Sequence, residues 1–244
     1  MKKILCLLTM TCLVLVGCSS SNDENPASNL LVKTAELRYS PTDFELLEYS
    51  YEGTKLKTVK RIGDLYIEFS YINDQLTRID YPITGQYYIL EYNASGKVTQ
   101  FTKYYSSNFI EERAEITYSA NNFTRTFYTG NTGQNFVGTE VVTITDGNVM
   151  TVARSFGLGY QETTTYTYDN KNNPFKNISS FDVFKILEIA DITGTANNLT
   201  SWQSTMSNYP YTKAFTYNEF NFPITEKKIY GAFVDNTLTY TYFE

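Results

Sequence analysis

The chain has 244 residues, with 20 basic against 26 acidic side chains, 22 Tyr, 16 Phe and no His. Its three Cys are Cys6, Cys12 and Cys18, all in the first eighteen positions. Beyond them there is no disulfide, thiol nucleophile, imidazole base or Cys/His metal site to build, which excludes Ser-His-Asp and Cys-His catalysis. The acidic balance, without a basic run, argues against nucleic-acid partners.

Met1-Lys2-Lys3 is a basic start, and Ile4 to Val16 is a run of uncharged, mostly apolar residues. That run is well short of the roughly 20 residues a spanning helix needs, so it reads as the core of a signal peptide. It ends in Leu15-Val16-Gly17-Cys18, which resembles the lipobox of bacterial lipoproteins. The resemblance implies cleavage before Cys18, lipid on its thiol and a membrane anchor. Without Lys2 and Lys3, 18 basic residues face 26 acidic ones, a net charge of −8. Residues 18–29 are small, polar and unpatterned, the composition of a flexible tether. Asp23-Glu24, after a serine run, resembles the acidic export signal of surface lipoproteins in Gram-negative gut anaerobes. The expected organisation is a leader at 1–17, a tether at 18–29 and one β domain at 30–244.

Within that domain, period-two alternation is the dominant pattern and signals strands. Strand patterns run over 31–39, 44–51, 65–71, 87–92, 97–105, 112–118, 123–128 and 137–145. They continue over 149–156, 163–168, 213–217, 224–230 and 237–242. Asn73-Asp74, Ala94-Ser95-Gly96, Asn121-Asn122 and Asp146-Gly147 are hairpin turn signals between them. Short turns join neighbouring strands, so the expected fold is all-β: a large antiparallel meander of a dozen or more strands, rolled or barrel-like.

A repeat of about 20 to 26 residues underlies the rhythm. A strand ends in Tyr, a polar turn follows, and an apolar residue opens the next strand. The clearest copies are Tyr166-Thr-Tyr-Asp closing on Asn173-Pro-Phe175, and Tyr217-Asn closing on Phe222-Pro223. Its anchor tyrosines are Tyr51, Tyr71, Tyr92, Tyr118, Tyr168 and Tyr217, with Ile144 in a degenerate copy. The pattern resembles the YD repeat of large shell-forming sheets. It is similar, more closely, to a family of uncharacterised envelope lipoproteins of gut anaerobes. That likeness implies a porin-like β fold and names no active site.

One segment, about 177–209, breaks the repeat. Phe181, Phe184 and Leu187 have helical spacing, Asn197-Asn198 and Ser207-Asn208 suggest loops, and the single Trp, Trp202, lies inside it. A helix and loop here would cap an open end of the rolled sheet. As the one departure from the repeat, it is also where a ligand-facing loop is expected. Most Tyr side chains should be core, with the out-of-phase Tyr87 and Tyr104 exposed. Asp169 to Asn173 is similar to a Ca²⁺ loop only superficially, with Lys171 at a ligand position and no closing Glu. Glu111, Glu112 and Glu115 could supply a carboxylate pair for glycoside chemistry, but no spacing singles one out.

No catalytic, cofactor or metal residue is assigned, and lipidation at Cys18 is the only assigned site. The expected protein is a non-catalytic outer-membrane lipoprotein, displayed at the cell surface, that serves as a binding or assembly module, with a glycan or protein as its partner. The alternatives are a carboxylate-dependent glycoside-acting enzyme and a transmembrane porin-like barrel. Cys18→Ala should leave unprocessed precursor and abolish incorporation of labelled fatty acid; normal labelling of the mutant would exclude the anchor.

Overall fold

The computed structural model describes residues 30–187, 189, 192–207 and 210–243; Cys18 and the tether lie outside them. Sixteen antiparallel strands form one closed barrel in strict chain order, with β1 pairing β16. They are β1 (Val32–Arg38), β2 (Phe44–Glu52), β3 (Lys55–Arg61), β4 (Asp64–Ile72), β5 (Gln75–Tyr81), β6 (Gln86–Tyr92), β7 (Val98–Tyr104) and β8 (Ile110–Tyr118). The second half is β9 (Asn122–Thr129), β10 (Asn135–Thr145), β11 (Asn148–Phe156), β12 (Tyr160–Tyr168), β13 (Leu199–Ser204), β14 (Tyr211–Tyr217), β15 (Pro223–Tyr230) and β16 (Phe233–Tyr242).

Alternation sends the apolar set inward. Val59, Ile67, Phe69, Ile79, Leu90, Phe101 and Phe127 are buried on the lumen side. The outer wall is hydroxylic and charged. Ser50 faces Thr58 at 2.5 Å, Thr34 faces Thr241 at 2.6 Å, and Glu48 stands opposite Lys60.

The anchor tyrosines explain the repeat. An odd-numbered strand and the even-numbered strand after it are joined at one end of the barrel and open at the other. At the open end, the Tyr closing the even strand donates its hydroxyl to a carbonyl at the start of the odd one. Tyr51 bonds Val32 (2.9 Å), Tyr92 bonds Leu76 (2.5 Å), Tyr118 bonds Val98 (2.9 Å) and Tyr168 bonds Val149 (2.8 Å). Tyr242, which the repeat did not single out, bonds Pro223 at 2.7 Å. Tyr71 stands in the equivalent place facing the Leu56 main chain, with its buried hydroxyl outside bonding geometry. Tyr217 departs from the rule and donates to Asp169. We call this end the tyrosine rim. Burial raises the phenol pKa along it, to about 12 for Tyr92 and Tyr118, so the hydroxyls stay protonated donors.

Beside most anchors the register slips by one residue. Ser50 faces Thr58 while Tyr51 faces Leu56, Ser70 faces Arg78 while Tyr71 faces Leu76, and Thr143 faces Thr151 while Ile144 faces Val149. Each slip is a β-bulge, which sharpens local twist and helps a sheet curl to closure.

The 177–209 segment is corrected in extent and form. The insertion runs over 169–198, and its expected helix is a short 3-10 turn at Phe181–Lys185. Residues Leu199–Ser204, Trp202 among them, form the wall strand β13. The insertion also fills the lumen from the tyrosine rim instead of lying across an end. Phe175 meets Tyr49 at 5.2 Å and Phe184 meets Phe69 at 6.1 Å, with Ile178, Ile186, Leu187 and Ile192 buried alongside. Asn197 clasps Asn148 through two hydrogen bonds, and Asp169 accepts from the Lys171 and Asn198 amides. Gly194 is indispensable to this fold-back: it has φ of 61°, and a Cβ there would lie 2.6 Å from Phe181 O.

Anchor tyrosines should therefore stabilise by two separable parts. Tyr168→Phe removes one net hydrogen bond, about 1 kcal/mol, and Tyr168→Ala also opens a cavity, for a total of about 3–5 kcal/mol. Denaturant melts of the full chain check both, with a single transition expected throughout.

Candidate functional site

Between the plug and the opposite end, which we call the loop rim, the inner wall changes character. Residues that point inward here are aromatic and charged; the aromatic rings, Arg154 and Glu162 are half-buried, while Arg125 and Glu140 are sealed. Tyr66, Tyr81 and Tyr88 form one arc, with ring centroids 5.9 and 6.1 Å apart. Trp202, Tyr211 and Tyr230 form another, with edge contacts at 5.4 and 5.7 Å. Tyr66 reaches the inside because a register slip at Val59/Lys60 turns it there. Trp202 is thus a wall residue of the lumen, not a residue of a capping loop.

A row of four alternating charges crosses the wall between the arcs. Arg125 on β9 stands opposite Glu140 on β10, Glu140 opposite Arg154 on β11, and Arg154 opposite Glu162 on β12. Arg125 and Glu140 form an ion pair with side chains only 6% and 7% exposed. Arg154 reaches Glu140 at 2.6 Å and Glu162 at 3.4 Å. Hydrogen bonds from Ser204 first, then Tyr160, hold the Glu162 carboxyl below the usual range. Arg125 Nη1 also donates to the Ile186 carbonyl at 2.9 Å, which ties the plug to the wall. Opposite-charge cross-strand neighbours are mutually stabilising, and each charge here has at least one partner, as burial requires.

A cavity of ≈ 270 Å³ lies against this row, with Glu112, Arg125, Glu140, Tyr88, Phe101 and Phe156 in its lining. Burial pushes the Glu112 carboxyl up against the pull of Lys103 and Arg125. A second cavity of ≈ 270 Å³ lies between β10–β13 and the plug, lined chiefly by Val142, Val152, Tyr166, Tyr168 and Ile192.

The other sequence candidates are dispersed. Glu111 pairs with Lys103 at 2.7 Å and accepts from Gln86, while Glu115 is on the outer wall, bonded by Arg113 and Tyr128. Tyr87 and Tyr104 are on the outer wall as their phase required, stacked 4.7 Å apart and so half-buried by each other. Both Asp169 oxygens are occupied by hydrogen-bond donors. The charge row itself was not anticipated. Its sequence trace is polar residues in the inward phase of β12, where Glu162 and Thr164 share a side with Tyr166.

No family model matches the sequence, and no curated protein does. The structure is similar to two porin-like proteins of gut Bacteroides. One, from Bacteroides uniformis, has a TM-score of 0.59 at 14% identity, over 87% of this chain and 96% of that one. The other, from Bacteroides vulgatus, has a TM-score of 0.57 at 9% identity, over 88% and 99%. At such identities the likeness shows the fold, a porin-like barrel.

Two substitutions test the site's electrostatics. Glu140→Gln removes the carboxylate that Arg125 and Arg154 share and should cost about 3 kcal/mol, as broken buried pairs do; replacing Arg125 with Met and Glu140 with Leu together should cost less. An acid whose pKa is raised on folding costs stability above the ordinary carboxylate range and nothing well below it. Glu112→Gln should therefore raise the melting midpoint at pH 7 and leave it unchanged near pH 3, as scanning calorimetry at the two pH values would read.

Proposed function

We propose that the protein is an envelope lipoprotein, tethered through Cys18 at the outer membrane and displayed at the cell surface, that binds a glycan or peptide at the mouth of its barrel. The observation that carries this reading is the contrast between the two ends of the lumen. The tyrosine-rim side is filled by the insertion, while the loop-rim side keeps aromatic faces and the Arg154–Glu162 pair half-open. Aromatic rings beside fixed hydrogen-bonding groups are the usual furniture of a ligand site. A lipid anchor would hold that mouth at a membrane without making the barrel span it. A spanning barrel needs an apolar outer band, and this wall carries Glu68 opposite Asp80, and Glu91 opposite Gln100 beside Glu115.

The binding role is non-catalytic on chemical grounds. With no His or free Cys, catalysis would fall to carboxylates, and the glutamates of the mouth are largely committed to arginine and lysine partners. Glu112, with its raised pKa beside Glu140, is the residue on which the alternative of a glycoside-acting enzyme would rest.

Trp202 is the only tryptophan, so its emission reports on the mouth directly. Titration with a panel of oligosaccharides and peptides should give a saturable change for one class, weakened at least tenfold by Tyr211→Ala in calorimetry. Hydrolysis of a panel member, abolished by Glu112→Gln, would establish the enzyme instead.

A further inference from the structure

The two rims differ in a way that neither the anchor nor the mouth explains. All eight connections at the loop rim carry or adjoin an exposed large apolar side chain. Ile62, Ile83, Phe109, Leu158 and Met206 are 51–110% exposed, one from each of five connections, and Phe233, 79% exposed, adjoins a sixth. Phe44 and Phe136 stand beside the other two. These connections (39–43, 62–63, 82–85, 105–109, 130–134, 157–159, 205–210 and 231–232) contain a single charged residue, Asp43. The hairpin turns of the opposite rim carry Asp74, Lys97, Asp146 and Glu219.

Two of these apolar residues are held against their conformational preference. Ile62 has φ of 51° and Leu158 has φ of 63°. Left-handed backbone favours Gly, Asn or Asp and is most costly for a β-branched residue. At the tyrosine rim the corresponding hairpin positions are Asn73, Asp74, Asp146 and Asn221. Apolar side chains are thus kept at the loop rim at the expense of turn stability, which points from an observed strain to a role.

Just behind the tips the outer wall carries Tyr87, Tyr104, Tyr128 and Phe136, and arginines lie over its rings. Arg78 sits 4.0 Å from the Tyr87 centroid and Arg113 4.3 Å from that of Tyr128. Apolar tips, then Tyr rings, then arginines is the layering of a segment that dips into a bilayer interface.

We infer that the loop rim rests on a lipid surface, its apolar tips inserted just below the headgroups and the barrel mouth facing the bilayer, so that the glycan or peptide of the proposed mouth is one carried at the membrane surface. A plane meets all eight connections of a ring at once. The tips are one or two side chains per connection, spread around the rim among polar turn residues, unlike the contiguous apolar core of a protein–protein interface. Lack of charge suits insertion into neutral lipid. The chain enters the barrel at the opposite rim, where the Leu30 carbonyl accepts from Asn177. The twelve residues 18–29, extended at about 3.4 Å each, reach about 40 Å. Tilted strands of this length make a wall under about 30 Å high, so an anchor at Cys18 allows the barrel to stand loop rim down. The tether length rests on the proposed anchor; the chemistry of the rim does not.

The test holds the mature chain, with Cys18→Ser and an N-terminal hexahistidine tag, on phosphatidylcholine vesicles containing nickel-chelating lipid. Attachment is then independent of lipidation. Single cysteines at Leu158 and Phe233, and at Asp146 on the other rim, carry an environment-sensitive dye, and spin-labelled lipid is the quencher. The inference predicts blue-shifted, strongly quenched emission at 158 and 233, water-like emission at 146, and loss of Phe233→Cys quenching when Leu158→Asp and Ile83→Asp are added. Equal quenching at both rims, or none at 158 and 233, would overturn it. Energy transfer between dyes on different copies would overturn it too, by assigning the rim to a second copy.

Discussion

A closed sheet of sixteen strands encloses more space than its own side chains can fill; porins of that size hold a water channel. This chain turns an apolar face to that space and a hydroxylic, charged face to the outside. An apolar lumen must be occupied by something, and the protein supplies it from its own sequence. Residues 169–198 leave the wall between β12 and β13, pack Phe175, Phe184 and Ile192 against the inner face, and rejoin it at Asn198. Because the filler enters from one rim and stops short of the other, the barrel has a closed end and an open end, and the candidate ligand site lies at the open one.

The same constraint shapes the repeat. Strands of about eight residues, joined by short turns, must twist enough to close, and bulges beside the anchors supply that twist. The tyrosines then clasp strand ends that no turn joins. The sequence pattern therefore exposed the anchor residues well, while the bulges hid some of the strands they serve. In β3, Leu56 and Val59 are both buried though three apart, because Lys57 is the extra residue; in β5, Leu76 and Ile79 flank Thr77 in the same way. Alternation fails across each, and neither strand is legible by period two. β13 is short, polar and bulged at Thr200, so Trp202 reads as loop.

The candidate site was less legible, for a different reason. Its charges come from four strands spaced along the chain and meet only through register, which a single sequence does not display. What alternation does show is a polar phase within an otherwise apolar inward face. On β12 that phase, Glu162 and Thr164, fits neither a sealed core nor a lipid-facing strand; it marks where the lumen opens. The likeness to the Bacteroides porin-like proteins shows the barrel fold; the wall chemistry is read from the residues of this chain.

The central claim is that water bathes the outside of this barrel and not its packed interior. Cysteines at neighbouring positions of one strand decide it: Thr165 points out and is exposed, and Thr164 points in and is 4% exposed. In membranes of cells producing the full chain, without detergent, Thr165→Cys should react rapidly with a water-soluble maleimide. Thr164→Cys should react only after denaturation. Protection of 165 by lipid or detergent, with free reaction at 164, would contradict the account and make the chain a spanning pore.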